Sequence, residues 1–195
     1  MTGDKLIQIC KFAKAEMTKT YDPQHDFGHV ERVRKNALKI AKILKVHRKI
    51  DLNLLQAICL LHDLTYARHK PNFINFYLEG RFMRKIGVEV FEEFKINNRE
   101  RKFMMEAFLG HTHWFIFRGL FKTKINSNIY TKILYDADKI DIFSNDRWVS
   151  LLSARRKYLF YRLSWPVIYS FVRLGKNNTG VFLNYPQVAK DFRKN

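Results

Sequence analysis

Disulfide chemistry is nearly absent from this sequence: Cys10 and Cys59 are its only cysteines, too few for a disulfide framework. Cys10 falls on an apolar helical face and Cys59 in an apolar run. Both read as buried thiols of a protein kept in a reducing, cytoplasmic compartment. Long apolar runs are also missing. A membrane-spanning helix needs about 18–20 such residues, whereas "LSWPVIYSFV" at 163–172 is shorter and interrupted by Pro166. The opening "MTGDKLIQICKFAK" is broken by Asp4, Lys5 and Lys11 and does not read as a secretory leader. No alternating strand pattern persists, 88–91 and 179–183 being weak exceptions, and there is no repeat, low-complexity tract or linker. Acidic side chains are scarce, 18 against 36 Lys and Arg, for a net charge of +18. That balance suits polyanionic partners, namely nucleotides, nucleic acid or an anionic membrane surface, unless it is only compositional bias.

What is present is helix. Apolar residues make up 47% of the 195 and aromatics 15%, enough for one folded domain with a sizeable core. Leu6, Ile9, Cys10, Ala13 and Met17 keep the three-and-four spacing of an amphipathic helix. Val30, Val33, Ala37, Ile40, Ala41 and Leu44 repeat it from 28 to about 46. The run 52–64, "LNLLQAICLLHDL", is apolar on almost all sides and predicts a central buried helix. Further helices are expected at 72–86, 99–110, 128–144, 146–161, 164–174 and 186–193, separated by breakers such as Gly87, Gly110 and Gly175. The expectation is a single all-α domain, with residues 1–145 as its metal-binding body and 146–195 as a helical extension packed on it. Residues 147–195 carry ten Lys or Arg against one Asp, interleaved with ten aromatics. They predict either an added helical layer or a basic contact surface.

Three polar groupings stand out against this background. "HDFGHVERV" sets His29 beside the apolar face of its helix. His62 and Asp63 end the buried run, where an ionised carboxylate needs a partner or a cation to offset several kcal/mol of desolvation. "YDADKIDIF" holds Asp136, Asp138 and Asp141 in an apolar segment. Asp138 and Asp141 share a helical face, and Asp136 points nearly opposite Asp138.

Together these residues resemble the H…HD…D signature of the HD-domain metal-dependent phosphohydrolases, over about residues 20–145. The resemblance implies an all-helical fold and a divalent ion (Mn, Fe, Co, Ni, Zn or Mg) on His29, His62, Asp63 and Asp138, with Asp136 as the alternative last ligand. Two imidazoles and two carboxylates suit a borderline divalent ion. Such an ion lowers the pKa of its water from about 15.7 toward 7–9 and neutralises charge on a phosphoryl group. The sequence departs from the guanosine-tetraphosphate hydrolases, which carry an acidic pair where this chain has "LTYAR", and from the G-Y-P type, whose motif is missing.

Around that core, Arg32 lies one turn beyond His29 and is expected to act catalytically or to clamp a substrate phosphate, or else to pair with Asp26 or Glu31. Arg68 and Lys70, on a loop after the HD pair, are expected to bind substrate. His111 is favoured over His113 in "GHTHWF" as an additional catalytic group, and His25 and Asp26 as supports for His29. Phosphate-ester hydrolysis of a nucleotide or related small metabolite is the leading expectation. A nucleic-acid-binding helical module with a structural or relic HD site is the alternative, through the basic aromatic tail. Peripheral membrane attachment through 155–174 is a third reading.

Overall fold

A computed structural model of the chain describes residues 1–111 and 127–192. The described residues contain helices and no strand, as the periodicity demands. Helix α1 covers Gly3–Met17, α2 Phe27–Ile43, α3 Leu52–Leu61, α4 Leu64–Arg68, α5 Phe73–Glu93 and α6 Asn98–His111. After residue 127 come α7 (Ile129–Ile142), α8 (Asn145–Lys157), α9 (Leu159–Leu163) and α10 (Trp165–Asn178). Two 3₁₀ turns, Thr179–Phe182 and Pro186–Val188, lead to α11 (Ala189–Phe192).

The helix starts follow from capping chemistry. Thr2, Asp26, Asp51, Asn72, Asn128 and Ser144 each accept a hydrogen bond from the backbone N–H three residues on, satisfying one orphan donor of the first turn. Asp26 therefore supports His29 through its backbone, Oδ1 to N at 2.8 Å, and not through its ring.

Several boundaries differ from expectation for identifiable reasons. The buried run does not continue as one helix: it stops at Leu61, turns at His62 and Asp63, and restarts at Leu64. The run expected at 146–161 breaks at Tyr158, whose backbone is extended. The α5 helix continues through Gly87 to Glu93, with Gly87 against α6, where a Cβ would sit 2.9 Å from Met105 Cε. The 3₁₀ turn at 179–182 replaces the weak strand signal there.

Helix α3 is the buried centre, with α1, α2, α6 and α7 packed on it and on one another. This principal core extends from Ile9 to Ala189 along the chain. Phe143, Leu151, Ala154, Tyr161, Phe171 and Val172 form a second, smaller apolar cluster. Gly175 lets α10 lie directly against Phe143: a Cβ there would fall 1.9 Å from the ring. The extension is tied to the body by Tyr161, whose hydroxyl donates to Asp22 Oδ2 at 2.5 Å, and by Gln24 Nε2, which donates to the Arg147 carbonyl at 3.4 Å. Most aromatic rings of this segment are consumed in that packing. Trp148 and Trp165 lie 5.6 Å apart, with Arg155 over the Trp165 ring. No described helix is long and apolar enough to cross a membrane.

Candidate metal centre

Four helix segments converge on one buried point: the first turn of α2 (His29), the α3–α4 junction (His62 and Asp63), the end of α6 (His111) and the second half of α7 (Asp138 and Asp141). The break after Leu61 has a function here. Adjacent helical residues diverge by about 100°, and the non-helical turn at Asp63 is what lets both members of the pair face inward. His62 Nε2 lies 3.2 Å from Asp63 Oδ2, and His29 Nε2 lies 3.0 Å from the same oxygen. Asp138 stands at the edge of this group, its Oδ1 3.6 Å from His29 Nε2 and its Oδ2 accepting from Lys139 Nζ at 3.1 Å.

The tautomers follow from the outer partners. His29 Nδ1 is 2.7 Å from Asp141 Oδ2, and His62 Nδ1 is 2.7 Å from the Cys59 carbonyl oxygen. Both acceptors lack protons, so Nδ1 carries a hydrogen in each ring, which leaves Nε2 as the atom free to act as a ligand whenever the ring is neutral. Neither Nε2 has a hydrogen-bond partner, and both rings are fully buried. The two Nε2 atoms thus converge on one anionic oxygen, an arrangement that a divalent cation between them would satisfy with both rings neutral. The donor set fits a divalent cation: the ligand atoms of His29, His62 and Asp63 all lie within 4.8 Å of one another.

Charge states differ between the two rings: burial opposes protonation of His29, but Asp141 and Asp63 outweigh it and raise its pKa. Burial pushes the His62 pKa down to about 4, against the pull of Asp63, so the ring is neutral at pH 7. Burial opposes ionisation of Asp63, but His62, His25 and His111 hold its carboxyl well below the usual range. Burial likewise opposes ionisation of Asp138, which Lys139 and the two imidazoles keep low. Asp141 is lowered to about 2 despite burial, by His29 and Arg32.

Asp63 presents its other oxygen to a second group. His111 Nε2 lies 3.3 Å from Oδ1, while His111 Nδ1 faces the Phe108 carbonyl at 2.9 Å. With acceptors at both nitrogens this ring favours two protons: burial works against that, but Asp63 and Glu79 raise its pKa. Glu79 completes the group, its pKa pushed up to about 7 by burial. The neighbouring His113 lies outside the described residues.

The three acids of "YDADKID" divide the work. Asp136, the alternative ligand, faces away from the centre. Its oxygens accept from Asn184 N (2.7 Å), Asn184 Nδ2 (2.9 Å) and Tyr185 N (2.9 Å), anchoring the C-terminal turns. Asp138 faces the centre. Asp141 orients the His29 ring, a role the sequence left unassigned although its shared face with Asp138 was the available signal.

Two of the cationic candidates are engaged by acids of the protein. The Arg32 guanidinium is taken up by Asp141, Nε to Oδ1 at 2.6 Å and Nη2 to Oδ2 at 3.3 Å, so it braces the group that braces His29 and makes no wall of the cavity. Its partner is neither Asp26 nor Glu31. Arg68 ends α4 and turns to Glu89 (2.6 Å) and Glu16 (3.5 Å), also away from the cavity. Lys70 does border the opening, exposed and over the Tyr21 ring. His25 stacks on Tyr66 at 3.7 Å between ring centres, and its Nδ1 lies 2.8 Å from Asp22. Glu79, Lys139 and Arg147 line the cavity but escaped the sequence reading, because an isolated acid or base on a helix reads as solvated.

The Arg32–Asp141–His29 relay makes a measurable claim. Asp141→Asn removes the charge that fixes the ring, and metal affinity is expected to fall by about 10–100-fold with the fold intact. Titration with a competing chelator measures it, and an unchanged affinity would show that Asp141 merely pairs with Arg32.

The fold and these residues define a class: all-helical domains that gather an H…HD…D set on a buried, cation-ready centre. A family model described as the HD domain matches residues 26–142, and the chain belongs to that family, most of whose members are metal-dependent phosphohydrolases. No curated protein and no solved structure gives a significant match to the chain.

Proposed function

We propose that the protein is a metal-dependent phosphohydrolase that cleaves a phosphate ester, with a nucleotide or a related small phosphorylated metabolite as substrate. In this reading His29, His62, Asp63 and Asp138 hold a divalent cation. When bound, the cation supplies a water of lowered pKa and neutralises charge on the phosphoryl group.

The chain's own residues do the rest. Asp141 fixes the His29 ring, and Arg32 fixes Asp141. His111 presents Nε2 to Asp63 beside the cavity and is placed to hold a proton for the departing oxygen. Lys70 lends positive charge at the opening. The cavity, of about 140 Å³, is polar at Asp63, Asp138 and His111 and apolar along Phe76, Phe160 and Phe171. An apolar wall beside a polar end supports an ester that carries a base or a similar ring. The nucleic-acid alternative draws less support, since the tail aromatics it needs for stacking pack into the second core cluster.

The observation that carries the proposal is the pair of buried, unpartnered Nε2 atoms of His29 and His62 aimed at one carboxylate oxygen. The test is metal removal. Stripping the purified protein with a chelator is expected to abolish hydrolysis of phosphate esters, and adding back Mn²⁺, Co²⁺ or Ni²⁺ to restore it. Silence with every metal across a panel of nucleotides would overturn the proposal.

A further inference from the structure

The family match ends at residue 142, yet much of the cavity is built by residues beyond it. Among these Arg147 is the anomaly. It sits in the first turn of α8 with only 4% of its surface exposed, and it lines the cavity together with Asp63, Asp138, His111 and Lys139. Its Nε and Nη1 atoms are buried without a hydrogen-bond partner. An unmatched guanidinium in a buried site is costly, and a protein retains one where a ligand completes it.

The neighbouring acids do not complete it. Asp141 receives Arg32 and His29, Asp22 receives His25 and Tyr161, Asp138 receives Lys139, and Asp63 faces the three imidazoles of His29, His62 and His111. What the open Nε and Nη1 donors fit is a further anion, whose oxygens would accept from these N–H groups. The backbone keeps the side chain in place: the Arg147 N–H donates to Ser144 Oγ and its carbonyl accepts from Gln24 Nε2. Neither bond involves the guanidinium.

We infer that Arg147 is the anion-binding residue that anchors the substrate's phosphate group, and that the segment from α8 to α10 supplies substrate recognition to a cation centre built by the family core. The inference rests on the phosphohydrolase reading for what the anion is. On geometry alone it predicts an inorganic phosphate site.

The test is calorimetric titration of the full-length, metal-loaded protein with inorganic phosphate, with metal content measured on every sample. Arg147→Met is expected to weaken phosphate binding on the order of 10–100-fold. Its metal content should not change, and its thermal midpoint should be equal or higher, because an unmatched buried charge has been removed. Arg147→Lys keeps the charge but not the planar set of donors and should bind with intermediate affinity; it decides the matter if the methionine variant does not fold. Equal phosphate affinity in wild type and the folded variants would overturn the inference, as would a wild type that binds no phosphate while loaded with metal. Arg147-dependent phosphate binding in a protein that takes up no metal would uphold the anchor and sink the phosphohydrolase reading.

Discussion

Asp63→Ala is expected to empty the centre and to bring hydrolysis down to background, a loss of more than about 10³-fold. The expectation is larger than for any neighbour because this carboxylate is shared. Its Oδ2 faces His29 and His62, and its Oδ1 faces His111. Losing a supporting partner of a ligand costs about 10–100-fold in affinity, and losing the ligand common to both groups must cost more. Three imidazoles would then face a space where only Asp138 of the ligand set keeps a negative charge, a poorer environment for a cation. Elemental analysis of the purified variant measures the loss, with circular dichroism to confirm the helical fold. His62→Ala should act in the same direction. A folded Asp63→Ala protein that keeps stoichiometric metal would refute the ligand set.

The second large effect concerns two aspartates one residue apart on either side of Ala137. Asp136→Ala is expected to lower stability by about 2–3 kcal/mol while the folded protein keeps its metal. The variant removes the fully buried carboxylate and leaves three half-buried N–H donors of Asn184 and Tyr185 without their acceptor. That is a large share of a typical domain stability of about 5–15 kcal/mol. Asp138→Ala is expected to show the converse, with metal and hydrolysis lost and a smaller change in unfolding midpoint. Denaturant unfolding read beside metal content separates the two. If Asp136→Ala loses the metal and Asp138→Ala keeps it, the assignment of the last ligand is reversed.

Much of this was legible in the residues themselves. The three-and-four spacing foretold the helices, and the cap residues Thr2, Asp26, Asp51, Asn72, Asn128 and Ser144 stand at their starts. The H…HD…D pattern pointed to His29, His62, Asp63 and Asp138, the residues that meet around one carboxylate. Spacing also placed Asp136 opposite Asp138 on one helix. It could not say which of the two faces looked inward, because helical phase is relative and only packing against α2 and the C-terminal turns makes it absolute.

The two arginines depend on the fold in the same way. One turn past His29, Arg32 looked like a phosphate clamp, but Asp141 arrives from a helix more than a hundred residues later and takes the guanidinium. Arg68 finds Glu16 and Glu89. A long charged side chain goes to whichever counter-charge the fold brings within reach, and sequence separation carries no information about that distance.

The sequence by itself determined the helical class, the helix starts and the chemistry available at the centre. These depend on neighbours within about one helical turn, where backbone geometry fixes every distance. Tertiary structure alone decided that Asp141 orients His29, that Glu79 and Arg147 line the cavity, and that Phe160, Tyr161 and Phe171 turn inward as part of its wall. Those outcomes depend on which faces of distant helices are pressed together, and that choice is made by burial of the whole apolar surface at once.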